Sequence, residues 1–361
     1  MRNKEGRVVN HPGVYLKDAM EELGLNQSEF ALRTGLSTKN VSTLVNGESD
    51  ITFDVAVRLA AFFNNEVEGW INLQTKYNLY KYREKREKEL EEEWRIVQMF
   101  NKEFLSKCCN VTINNENKEK TISEMRNVFR VGTLQALKKD DMYAFCKTSV
   151  KKDIDEKTII LRNAWISIAE TVARDIKCST FDKDKIISEV PFLRSLTLKR
   201  PEEFQPLLKS FLASAGVKLV ILPYLSNSNV SGVTKWMRDD NSVMVAINDC
   251  GKVADRIWFS IFHELGHAIR NHKRHLTISY EKNKIEDEDE KAANKFAQDS
   301  LIDPIAYSDF VAKRHFDLSS IDRFAEQQGV ADFIVIGRLK KDKILGWTQY
   351  QNRIVKYSVV N

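Results

Sequence analysis

The stretch FSIFHELGHAIRNH, Phe259–His272, decides how the rest of the chain is read. With six histidines among 361 residues, a His-Glu-x-x-His pattern is expected by chance only roughly 0.01 times. Asp255 to His272 contains no proline, and Ile257, Ile261, Phe262, Leu265 and Ala268 supply an apolar stripe, so the spacing predicts a helix. His263 and His267 then project from one face, one turn apart, where two imidazoles can bind a single zinc ion. Glu264 sits beside that position without ligating it. It is placed to take a proton from a zinc-activated water and to pass it to a leaving amine. Gly266 leaves room for a neighbouring strand or the wall of the site to come close.

A catalytic zinc needs a third protein ligand and an open position. The run IEDEDEKAANKFAQDSLIDP, Ile285–Pro304, supplies the candidates, because Ala293, Phe296, Ala297, Ser300 and Leu301 have helical spacing and define a second helix. Glu290 begins that pattern and is the acid best placed to reach the metal; Asn294, one turn on, is placed to hold a ligand in orientation. Glu286, Asp287, Glu288 and Asp289 read as a solvated acidic N-terminus favoured by the helix dipole. Two bland alternatives stand beside this reading: a structural histidine pair near an acid, and a HELGH that persists as a fold element without activity. His272 and His275 read as surface groups or aids to an oxyanion, and His315 has no identifiable partner.

Upstream, after Gly216, the period changes from helical to extended. VKLVILPYL (Val217–Leu225) and NSVMVAIND (Asn241–Asp249) are short, Val- and Ile-rich runs bounded by Asn, Asp, Ser and Gly, and are predicted strands; GVTKWMR (Gly232–Arg238) lies between them. Two or three strands followed at once by the HELGH helix is the layout expected of a small metalloprotease core.

The start of the chain is different in kind. Apolar positions recur at helical spacing from Val14 to Phe63, with breaks at Gly24, Gly35 and Asn46-Gly47, giving four or five short helices. NQSE at Asn26–Glu29 is a capping signal, and Ser37 is a second cap. Helices over Gln27–Thr34 and Thr38–Val45, joined by a turn at Gly35, form a helix-turn-helix, whose second helix enters the major groove with its early residues at base edges. Thr38, Lys39, Asn40, Ser42 and Thr43 are suitably polar for that role, and Gln27 is placed to bond a phosphate or brace a reading residue. The alternative is a small helical bundle used only for dimerisation or protein contact.

From Tyr80 to Phe104 the chain is dense in mixed charge and free of Gly and Pro, which reads as an exposed helical spacer or dimerisation arm. A polar break over Asn110–Lys120 ends it, and residues 120–215 read as helical scaffold. The expected division is therefore 1–79, 80–119, 120–215 and 216–361, and the fold class is multidomain, mainly α plus α+β. The net charge of +5 does not by itself indicate nucleic acid. Residues 1–79 carry eight Lys and Arg against ten Asp and Glu, so DNA binding there cannot rest on bulk charge. No apolar run reaches the length of a membrane span and the start lacks an apolar signal core, so a cytoplasmic protein without membrane contact is expected. Cys108, Cys109, Cys146, Cys178 and Cys250 form no CxxC pair and read as reduced thiols.

Two resemblances join these pieces. The segment His11–Leu79, with its HPG start, its NQSEFA and STKNVSTLVNG blocks and its W-x-N-L-Q-x-x-Y ending at Trp70–Tyr77, resembles the Cro/C1-type domain of HigA-like antitoxins. That resemblance implies binding to double-stranded operator DNA as a homodimer. ADRIWFSIFHELGHAIRNH followed by EKAANKFAQDSLIDP is similar to the ImmA/IrrE family of zinc metallopeptidases, implying His263, His267 and Glu290 as zinc ligands and Glu264 as general base; Ala292 and Ser300 depart from the family pattern at positions that are not ligands. The tail FAEQQGVADFIVIGRLKKDKILGW resembles the end of proteins that fuse the two domains, except that Asp332 and Phe333 replace a common His-Pro pair. Arg338 in that tail either binds a carboxylate or braces the site, or else forms a structural salt bridge. The expectation is a DNA-binding regulator or antitoxin with a zinc endopeptidase domain that cleaves a partner protein, in a toxin-antitoxin or mobile-element module. The alternative is an antitoxin repressor whose zincin-like domain only binds a toxin.

Overall fold

The structure is a computed structural model and describes residues 9–143, 154–270, 276–280 and 288–357. Cys146, His272, His275, Glu286 and Asp287 lie outside the described residues. The chain divides into two compact units, 1–92 and 93–361.

The first unit is helical: α1 (Pro12–Glu22), α2 (Gln27–Thr34), α3 (Thr38–Val45), α4 (Phe53–Phe63) and the start of α5 (Val67–Val97). Local chemistry sets these boundaries. Asn26 and Glu29 form a reciprocal capping box on α2, and Gly35 ends that helix in the left-handed conformation at φ +69°. Ser37 accepts from the Asn40 N–H to start α3, and Thr52 accepts from the Val55 N–H to start α4. Leu16, Phe30, Val41, Ala56 and Leu59 fill the core. The HPG start closes on the end of the domain: His11 caps α1 through Nδ1 and meets the Tyr77 ring edge-on at 4.8 Å. A Cβ on Gly13 would fall 1.8 Å from the Leu44 carbonyl oxygen, so only glycine lets α1 lie this close to the end of α3. Gln74 in turn accepts from the Ile51 N–H and donates to Asp50.

The second unit carries α6 (Lys102–Cys109), α7 (Lys118–Phe129), α8 (Glu156–Arg174), α9 (Lys183–Ser188), α10 (Val190–Ser195) and α11 (Pro201–Ser214) ahead of a four-stranded mixed sheet. The strands are β1 (Val217–Leu222), β2 (Val230–Met237), β3 (Ser242–Asn248) and β4 (Leu276–Tyr280), in the order β1-β3-β2-β4. β1 runs parallel to β3, and β2 is antiparallel to both β3 and β4. β1 is buried along its whole length, as a strand covered on both faces must be. Adjacent residues of β2 show what covers the sheet: Thr234 reaches Glu264 of α12 (Ala254–Arg270), whereas Lys235 reaches Glu170 of α8. The sheet therefore lies between α8 and α12. After α12 come α13 (Glu288–Leu301), α14 (Pro304–Ala312), α15 (Leu318–Gln328) and α16 (Asp332–Lys341). α13 and α16 pack on α12, and Tyr357 closes the core through a hydrogen bond from Trp258. Among the described residues no helix is long and apolar enough to cross a membrane.

The mixed-charge run begins inside α5, which starts at Val67 rather than at Tyr80. One helix serves two cores, since Trp70 packs in the first unit and Trp94, Ile96 and Val97 are buried in the second. No Gly or Pro punctuates residues 70–100, so composition alone marks no boundary there. Cys108, Cys109 and Cys178 are free thiols, and burial pushes Cys108 up to about 11 and Cys109 to about 12, which keeps both protonated and unreactive.

Candidate functional site

α12 buries one side against β2, β3, α13 and α16, and the HELGH residues lie at its C-terminal half. His263, Glu264, His267 and Glu290 are each at most 8% exposed. The two histidines turn their Nε2 atoms toward each other at 3.1 Å. Glu290, on the first turn of α13, places Oε2 at 3.5 Å from His263 Nε2 and Oε1 at 3.3 Å from His267 Nε2. These three residues form a group whose ligand atoms all lie within 4.8 Å of one another.

The arrangement fits a zinc ion on three grounds. Ligand atoms bonded at 2.0–2.2 Å in a tetrahedron are about 3.4 Å apart, close to the separations found here. Two imidazoles and one carboxylate are the right donors for that metal. The His263 Nδ1 atom lies 3.0 Å from Asn294 Oδ1. With Nε2 kept as an unprotonated donor, Nδ1–H donates to Asn294 and fixes ring and tautomer together. The charges agree. Burial would raise the Glu290 carboxyl, but hydrogen bonds from His263 and His267 and their charge hold it down at about 2. Burial likewise works to lower His263, yet Glu290 and Glu264 outweigh it and leave its pKa raised. The two shifts are the two sides of one pairing, in which the buried carboxylate and positive charge on the imidazoles stabilise each other. His267 Nδ1 is buried without a partner among the described residues.

Glu264 is not one of this group's ligand residues, and contacts from β2 hold its carboxyl. Its Oε2 accepts a 2.7 Å hydrogen bond from Thr234 Oγ1, and the same hydroxyl lies 3.1 Å from the Glu264 carbonyl oxygen. Gly232, two residues earlier on the same face of β2, lies against the carboxyl: a Cβ there would sit 2.2 Å from Glu264 Oε1. On the edge strand β4, Ser279 Oγ lies 3.2 Å from His263 Nε2. Gly266 faces α13, and its added Cβ would meet Ala293 Cα at 3.1 Å. The close approach expected at Gly266 is therefore to a helix.

In the first unit, Thr38, Lys39 and Asn40 are exposed on the first turn of α3, which Val41 and Leu44 anchor from below. Ser42, Thr43 and Gln27 are half-buried. The Thr43 hydroxyl donates to the Asn40 carbonyl at 3.1 Å and accepts from Ser49, so it braces the turn of α3. Arg58 reaches across from α4 to the Gly35 carbonyl at the turn between α2 and α3.

Comparison with known proteins agrees with both halves. Residues 16–70 match the helix-turn-helix family, and residues 213–339 match the IrrE N-terminal-like domain, a peptidase family. Antitoxin HigA-1 of Vibrio cholerae is 30% identical over 89 residues, which are 25% of this chain and 84% of that protein. The chain belongs to the HigA-like helix-turn-helix proteins and carries an IrrE N-terminal-like domain behind that module. Virulence-associated protein A' of Dichelobacter nodosus is 36% identical over 70 residues, or 19% of this chain; the chain spans only 61% of that relative's length. A HigA-family addiction module antidote protein from Coxiella burnetii, of known structure, is 32% identical and covers 26% of this chain and 95% of its own, with a TM-score of 0.23.

In this HigA-like, IrrE-like fusion, the structure brings His263, His267, Glu290 and Asn294 together and sets Glu264 next to them. It ties Arg338 elsewhere: the guanidinium pairs with Asp342 at 2.7 Å and lies over the Tyr307 ring at 4.8 Å. Asp332, at the place of the family's His-Pro pair, binds Arg353. Thr234, Gly232 and Ser279 were not singled out in the sequence. A glycine inside a strand does signal close approach, so Gly232, with Thr234 two residues on, was the available clue.

Proposed function

We propose that this chain is a DNA-binding regulator of the antitoxin type whose second unit is a zinc-dependent endopeptidase acting on a partner protein. The observation that carries the reading is the convergence of His263, His267 and Glu290 beside a separately held Glu264 carboxylate. A zinc ion held by those three side chains supplies Lewis acidity and brings the pKa of a coordinated water to about 7.

The chain's own residues do the rest. Glu264 accepts a proton from the attacking water, whose oxygen bonds to the peptide carbonyl carbon, and delivers that proton to the leaving amine nitrogen as the C–N bond breaks. Thr234 and Gly232 fix the rotamer from which it does so, with Thr234 donating to one carboxylate oxygen and Gly232 confining the other. Asn294 keeps the His263 ring turned to the cluster. A carboxylate kept at nine-tenths burial or more costs stability that the Thr234 hydrogen bond offsets only in part, and a fold kept only for binding has no need of it. That cost favours an active enzyme over a fold kept only to bind a toxin.

In the first unit the exposed Thr38, Lys39 and Asn40 meet base edges, Ser42 and Thr43 support them, and Gln27 meets a phosphate. The proposed divisions are 1–79 for this module, 80–119 for the helical spacer, 120–215 for scaffold and 216–361 for the peptidase, working as a cytoplasmic homodimer. The test is metal content by mass spectrometry with cleavage of the adjacent gene's product. Wild type and Glu264→Gln should carry about one zinc per chain, and only wild type should cleave. His263→Ala and Glu290→Ala should lose the metal; full zinc in both ligand variants would remove the assignment.

A further inference from the structure

α12 carries a second feature on the face that holds its histidines. A cavity of about 500 Å³ is lined by Phe259 and Ser260 of α12, Leu301 and Ile302 at the end of α13, Ile334 of α16, and Trp347. This volume falls within the roughly 300–1,000 Å³ of clefts that hold ligands. Arg256, also in the lining, Ser260, His263 and His267 are spaced four, three and four residues apart and so share one helix face. The cavity thus begins one turn, about 5 Å, before His263. The Phe259 and His263 ring centroids are 6.0 Å apart.

The interior and the rim differ in character. Leu301, Ile302 and Ile334 are buried and form an apolar floor, while Arg256, Lys341 and Trp347 are exposed. The lining carries Arg256, Arg338 and Lys341 against one carboxylate, Asp255, which lies against the Cα of Gly337. Arg338 is held by Asp342 and Arg256 lies beside the Asp255 charge, so Arg256 and Lys341 are the exposed cations of the lining.

The geometry points to this cavity as the pocket that selects the protein substrate: it takes a large apolar or aromatic side chain next to the scissile bond, flanked by an acidic residue that meets Arg256 and Lys341. This inference rests on the peptidase reading, because what makes the cavity a substrate pocket is that Phe259 and Ser260 of its wall lie within about one turn of His263. An apolar floor of this kind rewards each buried methylene and rejects small or charged side chains. A cationic rim adds selection for a neighbouring carboxylate, and that part weakens with salt.

The experiment uses the full-length Glu264→Gln chain, so that bound peptides are not consumed, with zinc content measured on each sample. Dye-labelled, end-blocked tetrapeptides differing only in one residue (Ala, Leu or Phe), each with and without a following Asp, are titrated by fluorescence anisotropy with and without added zinc. Leu and Phe peptides should bind roughly tenfold or more tightly than Ala peptides. The Asp should tighten binding at low salt only. Ser260→Phe and, at a lining residue of α13, Gln298→Trp should each fill the cavity and abolish the Phe-over-Ala preference while zinc content stays unchanged. Equal affinity for Ala and Phe peptides in zinc-loaded protein, or a preference that survives both filling variants, would overturn the pocket. A side-chain preference in protein that takes up no zinc would instead support the pocket and count against the metallopeptidase reading.

Discussion

Gly232→Ala isolates what holds the proposed general base, Glu264, in place. The added methyl carbon would lie 2.2 Å from Glu264 Oε1, 2.6 Å from Cδ and 2.9 Å from Cγ, all inside van der Waals contact. Glu264 cannot simply swing aside, because it is 1% exposed and bonded to Thr234. Either the carboxyl leaves its Thr234 bond or β2 moves against β3 and β4. Overpacking of this kind costs about 1–3 kcal/mol, which in a domain of 150–250 residues lowers Tm by roughly 2 to 12 °C. A base displaced by about 1 Å loses about a hundredfold in rate, so cleavage should fall by that order while zinc content is unchanged. Calorimetry on Gly232→Ala, Glu264→Ala and the double variant tests the cause. Removing the Glu264 side chain removes the clash, so the double variant should be more stable than the sum of the single effects by about 1–2 kcal/mol. Additive melting shifts, or a Gly232→Ala chain that melts and cleaves like wild type, would refute the argument that this glycine positions the base.

Gly13→Ala should disable the first unit, because its Cβ would meet backbone, the Leu44 carbonyl at 1.8 Å, rather than a side chain that can move. A loss of about 3 kcal/mol or more is expected, read as loss of the first thermal transition with the second unit's zinc content intact. Lys39→Ala should weaken binding to the chain's own promoter by about 1–3 kcal/mol if it meets a base edge; equal affinity of wild type for scrambled DNA in a gel-shift titration would count against sequence reading. Glu93 gives a pH prediction for the second unit. Burial acts to raise its carboxyl, but bonds from Arg126 and Thr133 outweigh it and hold the pKa below the ordinary 4.5. A depressed carboxyl stabilises the fold above that ordinary value, and its contribution is lost as pH falls from 4.5 through the folded-state pKa. Glu93→Gln should therefore destabilise the unit by about 1–3 kcal/mol at neutral pH and flatten the acid limb of its stability curve; an unchanged acid limb in denaturant titrations would sink the assignment.

The parts of the site that were legible in the sequence are those set within one helix. His263, Glu264 and His267 are placed by helical period alone, and Glu290 with Asn294 by the period of the next helix, so short-range rules sufficed for them. What needs a partner from elsewhere in the chain was not legible. Thr234 is thirty residues before Glu264, and no periodicity announces which strand will face which helix. β4, five residues of LTISY, is too short for its alternation to stand out from chance, yet it brings Ser279 to His263 and completes the sheet edge. The same distinction explains the α5 boundary, where one uninterrupted helical pattern supplies core residues to two units.

The fourth residue of HELGH joins the two kinds of information. His263 and His267 would form a pair on any helix of this period, but a pair does not hold a metal until Glu290 arrives from α13. How near α13 can come is set where the helices touch, and Gly266, between the two histidines, stands against Ala293 Cα and the Phe296 ring. A side chain at 266 would hold the helices apart by a few tenths of an ångström or more, and the Glu290 oxygens now 3.3 and 3.5 Å from the imidazole nitrogens would move out with α13. Ala293 is small for the same reason on the other helix, three residues beyond Glu290 and therefore on its face. The glycine of the motif is thus a distance constraint on the proposed third ligand, written into the helix that carries the other two.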